Sequence, residues 1–234
     1  MRAVFVNTAA VLIGSLIGIL FRSRLQESLR NSVMKALGLC TVLIGISSAI
    51  RTSDVLAVII CMVLGTILGE LLKIDAGIES LGDTIKKKLP KGSSETGSFT
   101  DGFVSASILF CIGSMTIMGS LEAGIRQNYT IIYAKSMMDF ISSMAFGAAM
   151  GFGVTCSALF VLVFQGGLTL LSAWVGTALS EAVVTEMSAV GGVILIGMAL
   201  NLLQCSRDRI KVANMLPAIF LPILYFPVLS LISG

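Results

Sequence analysis

Long apolar runs dominate this sequence and restrict it to one kind of fold. Eight runs approach the length that a helix needs to cross a hydrocarbon core, about 20 residues at a rise of about 1.5 Å each. Of the 234 residues, 56% are hydrophobic, and the mean hydropathy is +0.97. Because soluble domains hold roughly 45–50% apolar residues, the chain is predicted to be an all-α, multi-pass membrane protein.

The predicted spans number about eight, with seven complete crossings as the alternative. Glycine and hydroxyl residues interrupt the fourth run, and Gln165-Gly166-Gly167 interrupts the sixth, so either span can be broken or re-entrant. The eight runs are Ala3–Phe21, Val33–Ile50, Val55–Leu72, Phe103–Leu121, Thr130–Phe152, Cys156–Val175, Met187–Leu203 and Val212–Ile232.

Basic residues predict how the spans are oriented. Cytoplasmic loops near a membrane carry the excess of Lys and Arg, and the basic residues here concentrate in the first, third and seventh loops. These odd-numbered loops lie on one side, which places the N-terminus outside and predicts a multi-pass protein of the inner membrane. The residues are Arg22, Arg24, Arg30 and Lys35, then Lys73, Lys86, Lys87, Lys88 and Lys91, then Arg207, Arg209 and Lys211.

An internal similarity suggests an inverted repeat. Residues 25–45 and 179–197 both begin with Leu-x-Glu and end with Leu-Ile-Gly, and the charge pattern gives the two segments opposite directions across the membrane. Chance similarity between two apolar helices is the alternative. Inverted repeats are common in secondary transporters, where they provide two alternating conformations.

The repeat predicts a division of the chain. Residues 1–73 form a first membrane repeat with spans one to three, residues 102–152 form the central spans four and five, and residues 153–234 form a second repeat with spans six to eight. Between them, residues 74–101 form a cytoplasmic amphipathic segment and a flexible linker, since Ile74, Ile78 and Leu81 recur at helical spacing before a Gly-Ser-rich stretch.

Two ionisable residues fall inside the fifth span. Lys135 and Asp139 are four residues apart on one helical face, so they can neutralise each other. A charge at the bilayer centre costs about 2.5–3.5 kcal/mol on insertion scales and usually marks function. The functional interpretation is that a substrate or a coupling cation competes for the pair. The structural alternative is an ion pair that only makes the helix insertable.

Small residues interrupt the fourth span just before its end. Backbone groups exposed by local unwinding can contact a ligand, although close helix packing through small residues is the alternative. The candidate binding residues of this stretch are Gly113, Ser114, Met115, Thr116 and Gly119.

Further polar residues lie in spans six and seven. Gln165, Glu186, Ser188 and Asn201 are candidate substrate or ion ligands. Placement of Glu186 in the outer interface, and hydrogen bonding of Asn201 between helices, are the alternatives. The chain contains no His, and its five Cys residues show no metal-binding spacing. We therefore expect no metal site, no cofactor, no catalytic residues and no enzymatic activity.

Several motifs together resemble a known family. They are an Asn-bearing first span, Cys-x-Gly-Ser-Met-Thr-Ile-x-Gly-Ser at 111–120, Lys-Ser-x-x-Asp at 135–139, Met-Ser-Ala-Val-Gly-Gly at 187–192 and Asn-Met-Leu-Pro-Ala at 214–218. This order resembles the YdfK and YqgA type of bacterial inner-membrane protein over essentially the whole chain. That family is a domain of unknown function, so the resemblance implies membrane location without naming a substrate.

The sequence favours a cation-coupled secondary transporter of a small polar solute. The net charge of +3 is dispersed between apolar runs, which excludes a basic nucleic-acid-binding face. The expected partners are the lipid bilayer, a small molecule or ion as substrate, and a second copy of the chain through GxxxG faces. The alternatives are a passive channel and a regulatory or structural subunit without transport.

Overall fold

The protein is built from helices. The computed structural model describes residues 1–22, 27–78, 80, 99–111, 114–172, 180–205 and 208–226. Within these residues, the regular elements are all helical, which confirms the predicted all-α class. They are α1 Arg2–Arg22, α2 Glu27–Ala49, α3 Val55–Leu72, α4 Phe99–Cys111, α5 Ser114–Ile125, α6 Thr130–Met150, α7 Phe152–Leu170, α8 Glu181–Leu202 and a 3₁₀ helix at Val212–Phe220.

Five of the described helices are long and apolar enough to cross a membrane, and α4 with α5 makes a sixth when the bent pair is taken as one span. The five are α1, α2, α3, α7 and α8. Helix α6 has 21 residues but carries Lys135 and Asp139, and it is not among them. The eighth predicted run begins as a 3₁₀ helix containing Pro217, because proline removes a helical hydrogen bond and clashes with the preceding turn. Helix length and apolar composition thus identify fewer spans than the seven or eight predicted.

The fourth run is broken and the sixth is continuous. Helices α4 and α5 are bent by 57° relative to each other, with the break between Cys111 and Ser114. The Thr116 hydroxyl donates to the backbone oxygen of Phe110 at 3.0 Å, and this bond satisfies a carbonyl at the end of α4. By contrast, α7 runs unbroken through Gln165. Gly113 lies outside the described residues.

Glycines set the closest helix contacts and show the relative directions of the helices. Helix α1 runs parallel to α6, whereas α2 is antiparallel to α8 and α3 is antiparallel to the 3₁₀ helix. A helix surface without side chains allows such close backbone approach. The contacts join Gly14 to Phe140, Gly18 to Met144, Gly38 to Leu203, Gly45 to Gly192, Gly65 to Ala218 and Gly69 to Asn214.

Helix α8 is central and helices α2 and α3 are peripheral. In the most apolar stretch of each helix, 72% of the residues are buried in α8, compared with only 17% in α2 and 28% in α3. The exposed side chains of α2 and α3 are large and apolar, including Leu43, Ile59 and Leu71. A water-exposed patch of this extent is rare in soluble monomers, whereas lipid is an apolar solvent for it.

The predicted amphipathic segment is described only at its beginning. Residues 74–78 are helical, and Ile74 and Ile78 pack against the hydrophobic core around α8. Asp75 is buried there, and its backbone N–H donates to the side-chain oxygen of Asn214 at 2.8 Å. Most of the predicted segment and linker, residues 79 and 81–98, lies outside the described residues, and residues 99–101 at its end belong to α4.

Candidate functional site

A cavity of about 270 Å³ lies between α2, α4, α5, α6 and α8. Five residues singled out from the sequence line it: Met115, Thr116, Lys135, Asp139 and Ser188. Its other lining residues are Ile44, Ser48, Arg51, Leu109, Met138, Ser142 and Thr185. The cavity therefore brings together residues from four of the predicted spans and from the turn after α2.

Lys135 and Asp139 form a buried ion pair on the cavity wall. The Lys135 ammonium donates to Asp139 Oδ2, and each side chain is only 8% exposed. Helix α6 has 21 residues and is about 31 Å long, so Asp139, its tenth residue, lies near the middle of the helix. A buried pair is costly to desolvate, and removing one partner leaves an uncompensated charge.

Two amides extend the pair to α1 and α7. Asn7 Nδ2 donates to Asp139 Oδ2 and to Gln165 Oε1, both at 3.1 Å. Both amide side chains are fully buried. Within the described residues, Asn7 Oδ1 and Gln165 Nε2 have no hydrogen-bond partner. Asp139 Oδ2 therefore accepts from a neutral donor, Asn7, as well as from Lys135.

Two residues of this site are not among the candidates from the sequence. Asn7 could have been identified, because it is a lone amide in a long apolar span. Arg51 lies two residues after the end of α2, is exposed and lines the cavity with Thr185, the fifth residue of α8. The cavity therefore reaches the end of the molecule that the charge pattern places outside.

The candidate binding residues of the fourth apolar run occupy different places in the structure. Thr116 is buried and Met115 is exposed, and both line the cavity. Gly119 instead lies against α6, where an added Cβ would be 3.0 Å from Ile131 and 3.1 Å from Ile132. The side chain of Ser114 is outside the described part of the chain, as is Gly113. Gly119 thus serves the close packing that was the alternative interpretation.

Glu186 lies apart from the cavity and organises the turn between α2 and α3. Its side chain is fully buried. Its Oε1 accepts from the Ser53 N–H at 2.8 Å, the Ser53 hydroxyl at 2.9 Å and the Asp54 N–H at 3.3 Å, while Oε2 accepts from the Thr52 hydroxyl. With both oxygens engaged, the carboxylate satisfies backbone groups of the turn.

Glu186→Gln is expected to lower the free energy of unfolding by about 1–2 kcal/mol, because one charge-assisted acceptor becomes a donor that faces other donors. The measurement is thermal unfolding of the purified protein in detergent. Glu181→Gln, at the exposed start of the same helix, is the matched control and should change stability little. Equal effects of the two variants would contradict the capping role.

Asn201 also has a structural role. Its amide donates to the backbone oxygen of Ile210 at 2.8 Å and accepts from the Ile210 N–H at 2.9 Å. It is 13 residues from Ser188 on α8, about 20 Å along the helix axis. Asn201 therefore fixes the connection after α8 and does not reach the cavity.

Two known proteins resemble this chain over most of its length. YdfK of Bacillus subtilis (strain 168), described as an uncharacterized membrane protein, is 26% identical over 220 residues, which cover 92% of this chain and 91% of YdfK. YqgA of Escherichia coli (strain K12), described as an uncharacterized protein, is 29% identical over 221 residues, 93% of this chain and 92% of YqgA. No solved structure matches.

The similarity extends along almost the whole chain. Residues 2–227 match a single family model, described as a protein of unknown function, DUF554. The predicted resemblance to the YdfK and YqgA type is thereby confirmed. The chain belongs to the DUF554 family, and its apolar helices are those of a membrane protein.

Proposed function

We propose that the protein is a secondary transporter of the bacterial inner membrane that couples the movement of a small polar solute to a cation. The observation that carries this proposal is the buried Lys135–Asp139 pair, which faces a cavity near the middle of α6. Ionisable groups at such a depth usually mark an ion or substrate pathway. Asp139 is the coupling carboxylate, and Lys135 is the partner that solute binding displaces.

The hydrogen bond from Asn7 supports a switch at this pair. When Lys135 turns toward a solute, Asp139 still accepts from Asn7, so its carboxylate is not left without any donor. A neutral amide cannot balance the carboxylate charge in a buried site. A cation that binds Asp139 at that moment restores neutrality, and this requirement couples the two movements.

The packing of the helices is consistent with the inverted repeat. Under the predicted match of span one with six, two with seven and three with eight, each helix contacts its own counterpart in the opposite direction. Helix α1 meets α7 where Met1 and Val4 approach Gly166, α2 meets α8 and α3 meets the 3₁₀ helix. A two-fold axis in the membrane plane would relate such pairs. Two related repeats can exchange conformations and so open the cavity to either side.

The proposal includes two further assignments. We infer that eight segments cross the bilayer, with α4 and α5 as one broken span and the 3₁₀ segment as part of the last. The residue chemistry of the cavity serves binding and not catalysis, so we assign no enzymatic activity and no cofactor. The lipid bilayer remains a proposed partner. A second copy of the chain would have to bind through another face, because the glycines of both GxxxG pairs, Gly14 with Gly18 and Gly65 with Gly69, pack against other helices of the same chain.

The proposal is tested by uptake of radiolabelled solutes into liposomes that contain the purified protein, because uptake also detects transport without net charge movement. Short carboxylates, amino acids, amides and sugars are supplied in the presence of a sodium or a proton gradient. We expect one solute class to accumulate in a way that depends on one of the two gradients and that protein-free liposomes do not show. If no solute accumulates under either gradient, the transport proposal is wrong and a subunit without transport is favoured.

A further inference from the structure

The charges on the cavity wall favour one class of solute. Its lining contains two cationic side chains, Arg51 and Lys135, and one carboxylate, Asp139. Lys135 and Asp139 neutralise each other, so Arg51 supplies an excess positive charge. Within the described residues the Arg51 guanidinium has no ion pair. The Glu186 carboxylate does not neutralise it, because both of its oxygens accept hydrogen bonds from residues 52–54. An anion is the complementary ligand.

The hydroxyl groups of the cavity divide into two kinds. The hydroxyls of Thr116, Thr185 and Ser188 donate to backbone carbonyls that lie four or six residues earlier in the chain. These carbonyls belong to Phe110, Glu181 and Val184 respectively. Ser48 and Ser142 make no such bond among the described residues, so their hydroxyls can donate into the cavity. Together with Arg51 and Lys135 they form a set of donors, and an ionised carboxylate is a pure acceptor.

The rest of the wall is apolar and the space is small. Ile44, Leu109, Met115 and Met138 complete the lining of the cavity of about 270 Å³. This volume lies just below the range for small-molecule sites, which begins at about 300 Å³. Such a wall suits a ligand with a short hydrocarbon chain. A second charged group on the ligand would find no counter-charge there beyond Asp139.

We propose that the cavity binds a small monocarboxylate, with its carboxylate between Arg51 and Lys135 and its hydrocarbon part against Leu109 and Met138. This assignment rests on the proposed transport function and names its substrate class. The solute carboxylate replaces Asp139 as the counter-ion of Lys135. Asp139 then accepts a hydrogen bond only from Asn7 and binds the coupling cation. One anion and one cation thus enter together, and the net charge of the site is unchanged.

The test compares three solutes of similar size that differ in charge: sodium propionate, alanine and propionamide. Thermal unfolding of the purified protein in detergent is measured at matched sodium concentration and ionic strength. A ligand stabilises the state that it binds, so propionate should raise the unfolding temperature and the other two should not. Arg51→Gln should require at least about tenfold more propionate for the same shift, since a hydrogen bond to a charged group contributes this much.

Arg126→Gln is the matched control. Arg126 is exposed, pairs with Glu122 and lies outside the cavity, so this variant should respond to propionate as the parent does. An equal response of Arg51→Gln and the parent, or a shift with propionamide equal to that with propionate, would overturn the assignment.

The assignment and the transport proposal can fail separately. If alanine or propionamide stabilises the protein and shows gradient-dependent uptake while propionate does neither, transport stands and the carboxylate assignment is wrong. If propionate stabilises the parent through Arg51 but no solute is taken up, the binding site stands and the transport proposal is wrong. Absence of both stabilisation and uptake rejects both.

Discussion

Asp139→Ala is expected to lower the free energy of unfolding by about 3–5 kcal/mol, because it leaves the Lys135 ammonium buried without its counter-charge. It also removes the acceptor of one Asn7 hydrogen bond. The measurement is thermal or denaturant-induced unfolding of the purified protein in detergent, together with solute uptake after reconstitution in liposomes. We expect both the stability loss and the loss of uptake.

A double variant separates the two effects. Replacing a buried ion pair by apolar residues of similar volume is often neutral or stabilising. Lys135→Met combined with Asp139→Leu should therefore recover most of the lost stability while remaining inactive, because no group is left to exchange partners. A double variant that is stable and still takes up solute as the parent does would reduce the pair to the structural role that the sequence left as the alternative.

Gly18→Ala is expected to lower the free energy of unfolding by about 3 kcal/mol, near the upper end of the usual cost of overpacking. An added Cβ would overlap the backbone oxygen of Met144 and lie 2.8 Å from the backbone nitrogen of Ala148. A flexible side chain could turn aside, but backbone cannot, so α1 must separate from α6. Unfolding in detergent measures the loss.

Gly167→Ala is the matched control for this prediction. Gly167 is also helical, and an added Cβ would have no atom within 4 Å. Alanine is favoured over glycine inside helices by roughly 0.5–1 kcal/mol, so this variant should be neutral or slightly stabilised. Similar losses in both variants would show that Gly18 has no special place at the contact between α1 and α6. Because α1 also carries Asn7, Gly18→Ala should slow solute uptake as well.

Local sequence was sufficient for much of this fold. Apolar runs predicted the helices because each run satisfies its own backbone hydrogen bonds and needs no partner to do so. The small polar stretch around Thr116 predicted the break in the fourth run, and the i, i+4 spacing of Lys135 and Asp139 predicted their contact. In each case, the interaction lies within about two turns of one helix.

Local sequence was insufficient wherever a polar side chain had a choice of distant partners. Asn7 binds Asp139 and Gln165, which are 132 and 158 residues away, and Glu186 binds a turn that is 132 to 134 residues away. The sequence grouped Glu186 and Asn201 with the site because both are polar residues on a predicted span. Their actual partners belong to the turn before α3 and to the connection after α8.

The sequence by itself determined that this is a helical membrane protein with a charged pair inside one helix. Composition and helical periodicity carry that information, because burial of apolar surface in lipid and hydrogen bonding within a helix are properties of each segment alone. Only the tertiary structure decided that Arg51 joins Lys135 at one cavity, that Asn7 supports Asp139 and that Glu186 does not take part. Which side chains meet depends on the rotation and crossing point of each helix, and those are set by close contacts such as Gly18 with Met144, which pack residues far apart in the chain.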